Sequence, residues 1–217
     1  MADIKTWLRR NLPLLFDKEN AVHAMEIPVF PLHTVLFPGG ALPLRVFEQR
    51  YMDMAKDCLR EERPFGVCLI KEGEEVGAPA VPESIGCLAR IGGWDMHQIG
   101  VLNLKVVGLQ RFCIQHQRTG ENGLITAGVL TIAAEPAQQI APSLQACVTV
   151  LRHIIGQMGE DKFEPPLQFE DAAWVGYRLA EVLPLKLRVK QSMLEMNDSA
   201  MRLEILKDFL VRQGLAV

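Results

Sequence analysis

The residues around Glu135-Pro136 divide this 217-residue chain into two textures. Before that point apolar residues come in short β-branched and aromatic runs broken by Pro and Gly, and after it they recur at the period of helices. Runs at 27–30, 65–70, 85–91, 98–107, 111–117 and 123–132 read as strands, parted by turns such as Glu72-Gly73, Gly92-Gly93 and Asn122-Gly123. A further run, 32–37, closes on Pro38-Gly39-Gly40. Pro28, Pro31, Pro38 and Pro43 lack ladder donors and belong at edges or bends. In this half only 47–60 has helical spacing, through Phe47, Tyr51, Met54, Ala55, Cys58 and Leu59. Many short strands with one helix predict a small, partly closed β-barrel.

Beyond the switch, Leu144, Cys147, Val148, Leu151 and Met158 suit a helix ending near Gly159, and Pro165-Pro166 makes a stiff break. Phe169, Ala172, Ala173, Gly176, Leu179, Ala180 and Leu183 form one stripe, the mark of an amphipathic helix. Pro184 stops it and opens the next helix, which runs towards Met196. Asn197-Asp198-Ser199 offers capping oxygens to a last helix bearing Leu203, Leu206, Phe209 and Leu210, with Gly214 past its end. The expected fold class is therefore α+β, with a barrel over 25–134 and a helical bundle over 135–217. Residues 1–24 read as an appendage whose Ile4, Trp7, Leu8, Leu12 and Leu15 fall roughly on one helical face. The simplest role for that face is to dock on the protein's own body.

Charge narrows the function classes. The chain carries 23 basic and 26 acidic residues, a formal net charge of -3, spread evenly over all three parts. Nucleic-acid binders draw most of their affinity from clustered Lys and Arg, and no such cluster stands in the sequence. Cys58, Cys68, Cys87, Cys113 and Cys147 are odd in number and far apart, without a C-x-x-C pair, so buried reduced thiols are expected. An acid at position 3, and no apolar run near the ~20 residues of a membrane span, favour a cytoplasmic setting.

No catalytic, cofactor or metal site is legible. A phosphate-cradling G-x-x-x-x-G-K-[ST] loop is missing, and Ser84, Ser143, Ser192 and Ser199 sit in no glycine-framed elbow. The five histidines lack a zinc-binding spacing. Cys113 and His116 lie three apart in a predicted strand, where they face opposite sides. One constellation remains, Arg45, Glu48, Gln49, Arg50 and Tyr51 directly after Pro38 to Leu44. An Arg/Glu group there locks the strand-to-helix junction, or Arg45 or Arg50 grips a peptide carboxylate or backbone. The first reading is the simpler.

Ile27-Pro28-Val29-Phe30-Pro31-Leu32, Val35-Leu36-Phe37-Pro38-Gly39 and Leu42-Pro43-Leu44-Arg45-Val46-Phe47-Glu48-Gln49-Arg50-Tyr51 together resemble the opening signature of the amino-terminal domain of Lon ATP-dependent proteases. Ile85 to Ile91, Val107-Gly108-Leu109-Gln110-Arg111-Phe112 with its G-x-x-R-F, Trp174 through Pro184, Lys190-Gln191, Leu194-Glu195 and Arg202-Leu203 agree. The resemblance implies a PUA-like barrel followed by a helical bundle, serving as a substrate-recognising and oligomer-supporting module. The nucleotide loop and the Ser/Lys protease domain are both lacking in these 217 residues, so proteolysis is not carried over.

Three functions follow as hypotheses. The leading one is a non-enzymatic module that binds unfolded, partly folded or degron-like polypeptides, or adapts them to a separate ATPase or protease, by strand addition or in the barrel-bundle groove. Phe37, Arg45, Arg50, Tyr51, Trp94 and Arg111 are its candidate binding residues. Phe37 and Arg111 also suit barrel core and barrel-corner hydrogen bonding. The alternative is an RNA- or nucleotide-binding PUA-like protein. The third is an enzyme whose titratable pair is brought together only by folding. Oligomeric state stays open.

Overall fold

The computed structural model describes residues 23–215, and the appendage expected at 1–24 falls almost wholly outside them. Seven strands come first: β1 (Ala24–Leu32), β2 (Ala41–Val46), β3 (Phe65–Glu72), β4 (Val81–Pro82), β5 (Ile85–Gln98), β6 (Val101–Thr119) and β7 (Ile125–Thr131). Helix α1 (Gln49–Glu61) lies between β2 and β3, and α2 (Gln145–Met158), α3 (Ala172–Val182), α4 (Leu187–Glu195) and α5 (Ser199–Arg212) follow the sheet. Pairing runs β1-β7-β6-β5-β3-β4, and a parallel contact between β1 and β3 closes the ring. The chain is thus α+β, with a partly closed barrel followed by helices.

The ring closes because β1 changes partners. Its residues 24–29 pair with β7 and residues 29–32 with β3, Val29 belonging to both ladders. Each half keeps one open side, which accommodates Pro28 and Pro31. Strand β6 is continuous over 19 residues, where two strands were expected. One of its edges carries β5, and the other carries β2 and then β7. The expected break at Gly108 is instead a close approach. A Cβ there would lie 2.1 Å from the Phe37 carbonyl oxygen. The Gly39 amide donates to Gly108 O and the Gly108 amide to Gly40 O, both at 2.8 Å. The run 32–37, expected as a strand, leaves the sheet after Leu32 to make that approach.

Helix α1 plugs one side of the barrel with Tyr51, Met52, Met54, Ala55 and Cys58, packed on Val67, Leu102, Leu104 and Val106. Among the carboxy-terminal helices, α3 departs from its amphipathic expectation: every residue from Ala172 to Ala180 is buried. The predicted stripe meets the other helices, while off it Trp174 packs on Phe169, Tyr177 on Phe37 of the barrel, and Arg178 on the carbonyl of Pro38. Val35, Phe37 and Leu69 of the barrel share one apolar core with α2 to α5, so packing crosses the 134/135 boundary.

Candidate functional site in the groove between barrel and bundle

Where the sheet hands over to the helices, charged groups are gathered inside the protein. The Glu135 side chain is 4% exposed and the Arg202 side chain fully buried. Arg202 donates to Glu135 Oε1 at 2.6 Å, to Oε2 at 3.2 Å and to the Met193 carbonyl at 3.0 Å. The Tyr177 hydroxyl donates to Glu135 Oε1 at 2.6 Å, and the Arg202 guanidinium lies 4.2 Å from the Tyr177 ring centroid. Burial pushes the Tyr177 phenol well above its ordinary range, so it stays protonated and donating. From the barrel, Arg111 donates to the carbonyls of Leu194 and Met196 and to Asn197 Oδ1, each at 2.8 Å. An uncompensated charge here would cost several kcal/mol, and each of these three charged side chains has an opposite charge or carbonyl partner.

A second buried arginine fixes the loop between β1 and β2. Arg178 donates to the carbonyls of Gly39 and Pro38 and pairs with Glu181 at 3.0 Å. Burial presses the Arg178 guanidinium down and the Glu181 carboxyl up, each partly offset by the other's charge.

Above this framework lies an open groove of about 670 Å³. Pro38, Leu88, Leu109 and Ile132 line the barrel side, and Ala173, Trp174 and Tyr177 the helical side. Asp171 caps α3 by accepting from the Trp174 amide at 3.0 Å, and this sets Trp174 and Tyr177, one turn apart, towards the barrel. Linker and helix are stitched together by the Ala172 amide donating to Gln138 O at 2.9 Å. The charged lining residues are already committed: Arg111 and Glu135 to the buried network, Asp171 to its cap. The remaining surface is apolar with Gln110 and Gln168 at the rim, and Leu109 is 37% exposed. Its apolar walls suit holding apolar side chains. Among the described residues no group of His, Cys, Asp and Glu could hold a metal.

The six candidates scatter. Phe37 is 0% exposed, so it cannot line a surface; it is core, 5.7 Å from the Tyr177 ring. Arg50 is also interior, 7% exposed, bonded to Glu48 at 2.9 Å and to Gly123 O at 3.1 Å, a lock at the strand-to-helix junction. Tyr51 stacks on Phe30 at 3.9 Å beside a smaller pocket of about 280 Å³, which Arg45 and Phe47 also line. Arg45 donates to Gln98 at 3.3 Å, and Trp94 is 60% exposed on the β5-β6 hairpin. Arg111 alone reaches the large groove, with its guanidinium spent on the bundle. Leu109, Trp174, Tyr177 and Glu135 are groove residues the sequence reasoning missed. The spacing of Trp174 and Tyr177 in a predicted helix was the available signal.

A partly closed barrel is thus joined through buried arginines to a helical bundle, with an apolar groove between them. The chain belongs to the family described as the ATP-dependent protease La (LON) substrate-binding domain, which matches residues 26–212. It is similar to a crystal structure of a Lon N-terminal domain protein from Xanthomonas campestris, with 38% identity and a TM-score of 0.71, over 84% of this chain and 96% of that one. Lon protease 2 of Myxococcus xanthus is 26% identical over 93% of this chain and 25% of its own length. Protein cereblon of Xenopus tropicalis is 30% identical over 48% of this chain and 23% of its own. The chain spans a quarter or less of these two relatives. No helix among the described residues is long and apolar enough to cross a membrane.

Proposed function

We propose that this chain is a non-catalytic polypeptide-recognition module that holds exposed apolar segments of unfolded, partly folded or degron-bearing clients in the groove between barrel and bundle. The observation that carries this reading is the groove's lining, open and apolar at Leu109, Ile132 and Trp174 while its charges are satisfied internally. Membership in a substrate-binding family supports it. In a cytoplasmic setting the module would present its client to a separate ATPase or protease. The test is a titration of reduced, carboxymethylated α-lactalbumin, a permanently unfolded polypeptide, against the purified chain and its Leu109→Glu variant. A charge in the groove is expected to weaken binding at least tenfold, about 1.4 kcal/mol, with the melting temperature unmoved. Equal binding by both proteins would refute the groove.

A further inference from the structure

We propose that the smaller pocket beside α1 binds a free apolar α-amino acid, its carboxylate at Arg45, its ammonium at Glu75 and its side chain on the barrel wall. This site is separate from the groove and stands or falls without it. A hydroxyl without a partner is the first argument. Tyr51 is 4% exposed, yet its phenol makes no hydrogen bond to any described residue, whereas the phenol of Tyr177 donates to Glu135 at 2.6 Å. Buried polar groups are nearly always bonded, so a free one marks where a ligand group belongs. Nor is this oxygen sealed in. Among the described residues the sealed side-chain atoms without a partner are Arg50 Nε, Arg178 Nε, Glu181 Oε2 and Gln191 Oε1. The Tyr51 hydroxyl opens instead on the pocket of about 280 Å³ that the residue lines. Burial holds this phenol above its ordinary range, the Arg50 charge opposing and the Glu48 and Glu75 charges adding, so it is a hydrogen-bond donor at neutral pH.

Charge supplies the second argument. Arg45 from β2 and Glu75 from the connection between β3 and β4 both line this pocket. Neither forms an ion pair with a described residue: Arg45 has the Gln98 contact at 3.3 Å, and Glu75 accepts from the His33 amide. Glu48, the third charge on the lining, is taken by Arg50 at 2.9 Å. One free cation and one free anion suit a ligand that carries both charges. A simple carboxylate or a simple amine leaves one of them unanswered. The walls fit the rest of such a ligand. Phe30, Leu32, Leu42 and Leu44 are apolar, and Phe47 and Val76, each more than half exposed, add to them. The lining runs unbroken from Leu42 to Glu48, and β2 pairs with β6 alone, so its other edge has main-chain groups to offer. At about 280 Å³ the pocket lies just below the roughly 300–1,000 Å³ of most small-molecule sites, a size for one amino acid.

L-leucine is the probe, titrated against the isotope-labelled full chain to about 10 mM, where a site with a dissociation constant of about 1 mM is nearly filled. The methyl signals of Leu42, Leu44 and Val76 are expected to shift and saturate while those of Leu109 and Ile132 stay still. Three analogues divide the charges: 4-methylpentanoate lacks the ammonium, 3-methylbutylamine lacks the carboxylate, and N-acetyl-leucine amide lacks both. Each should bind at least about tenfold more weakly than leucine. Arg45→Gln and Glu75→Gln should each weaken leucine by about the same factor with the melting temperature unmoved, and Tyr51→Phe should weaken it severalfold. Absence of a saturating shift, or shifts at Leu109 and Ile132 in its place, overturns the site. An analogue with one charge that binds as tightly as leucine overturns the pairing of Arg45 with Glu75, as does unchanged leucine affinity in either charge variant. Equal binding of N-acetyl-leucine amide also overturns the proposal and assigns the pocket to a peptide strand.

Discussion

At the junction with the bundle, Arg111, Arg202 and Glu135 are withdrawn from water and each is met by an opposite charge or a carbonyl, whereas at the outer end of the β5-β6 hairpin Trp94, Met96 and Ile99 stand in solvent. Both regions hang on the same strand, β6, and they differ in what surrounds it. Near Arg111 the helices cover the sheet. Beyond Ala89, β5 has lost its β3 partner and pairs with β6 alone. The buried bonds of Arg111, Arg178 and Gln191 tie barrel to bundle and so hold the two walls of the groove in place. Apolar surface left outside fixes nothing in the fold.

That contrast gives predictions of decreasing size. Arg202→Ala should cost about 3–5 kcal/mol in urea unfolding, because Glu135 is left as a buried charge without its main partner. Arg50→Ala should cost about 1–3 kcal/mol, because Glu48 and the Gly123 carbonyl lose their donor inside the barrel. A smaller effect comes from Cys58, whose thiol burial raises from 9.0 to about 11. Its folded pKa lies above its unfolded one, so the associated stability is complete below about pH 9 and is lost as pH rises through about 11, on the order of 1–2 kcal/mol. Cys58→Ala should flatten that alkaline slope. Least affected should be Trp94→Ser and Arg45→Ala, each within about 0.5 kcal/mol of the parent. A large loss at Trp94, or a small one at Arg202, would break the contrast between the two regions.

Local punctuation made much of the architecture readable. Gly159 ends α2 at φ 96, Asp198 caps α5 by accepting from the Met201 amide, and the helical period beyond Glu135 separates bundle from barrel. What failed locally was decided at a distance. Gly108 resembled a turn because nothing nearby in sequence announces the Phe37 carbonyl that presses on it. Helix α3 resembled a one-sided helix because Tyr177 and Arg178 find their partners on the barrel, at Phe37 and Pro38. The site was less legible for the same reason. The groove joins β6, the linker and α3, with Leu109 and Trp174 65 residues apart, and Arg111 and Arg50, conspicuous in the sequence, are held by the distant carbonyls of Leu194, Met196 and Gly123 that only folding brings near them.

The most direct test of groove recognition is a methyl NMR titration of the isotope-labelled chain with carboxymethylated α-lactalbumin. The account predicts that the methyl signals of Leu88, Leu109 and Ile132 shift together and saturate, while those of Leu42, Leu44 and Val76 around the smaller pocket hold still. Shifts confined to that smaller pocket, with Leu109 and Ile132 unmoved at saturation, would contradict it.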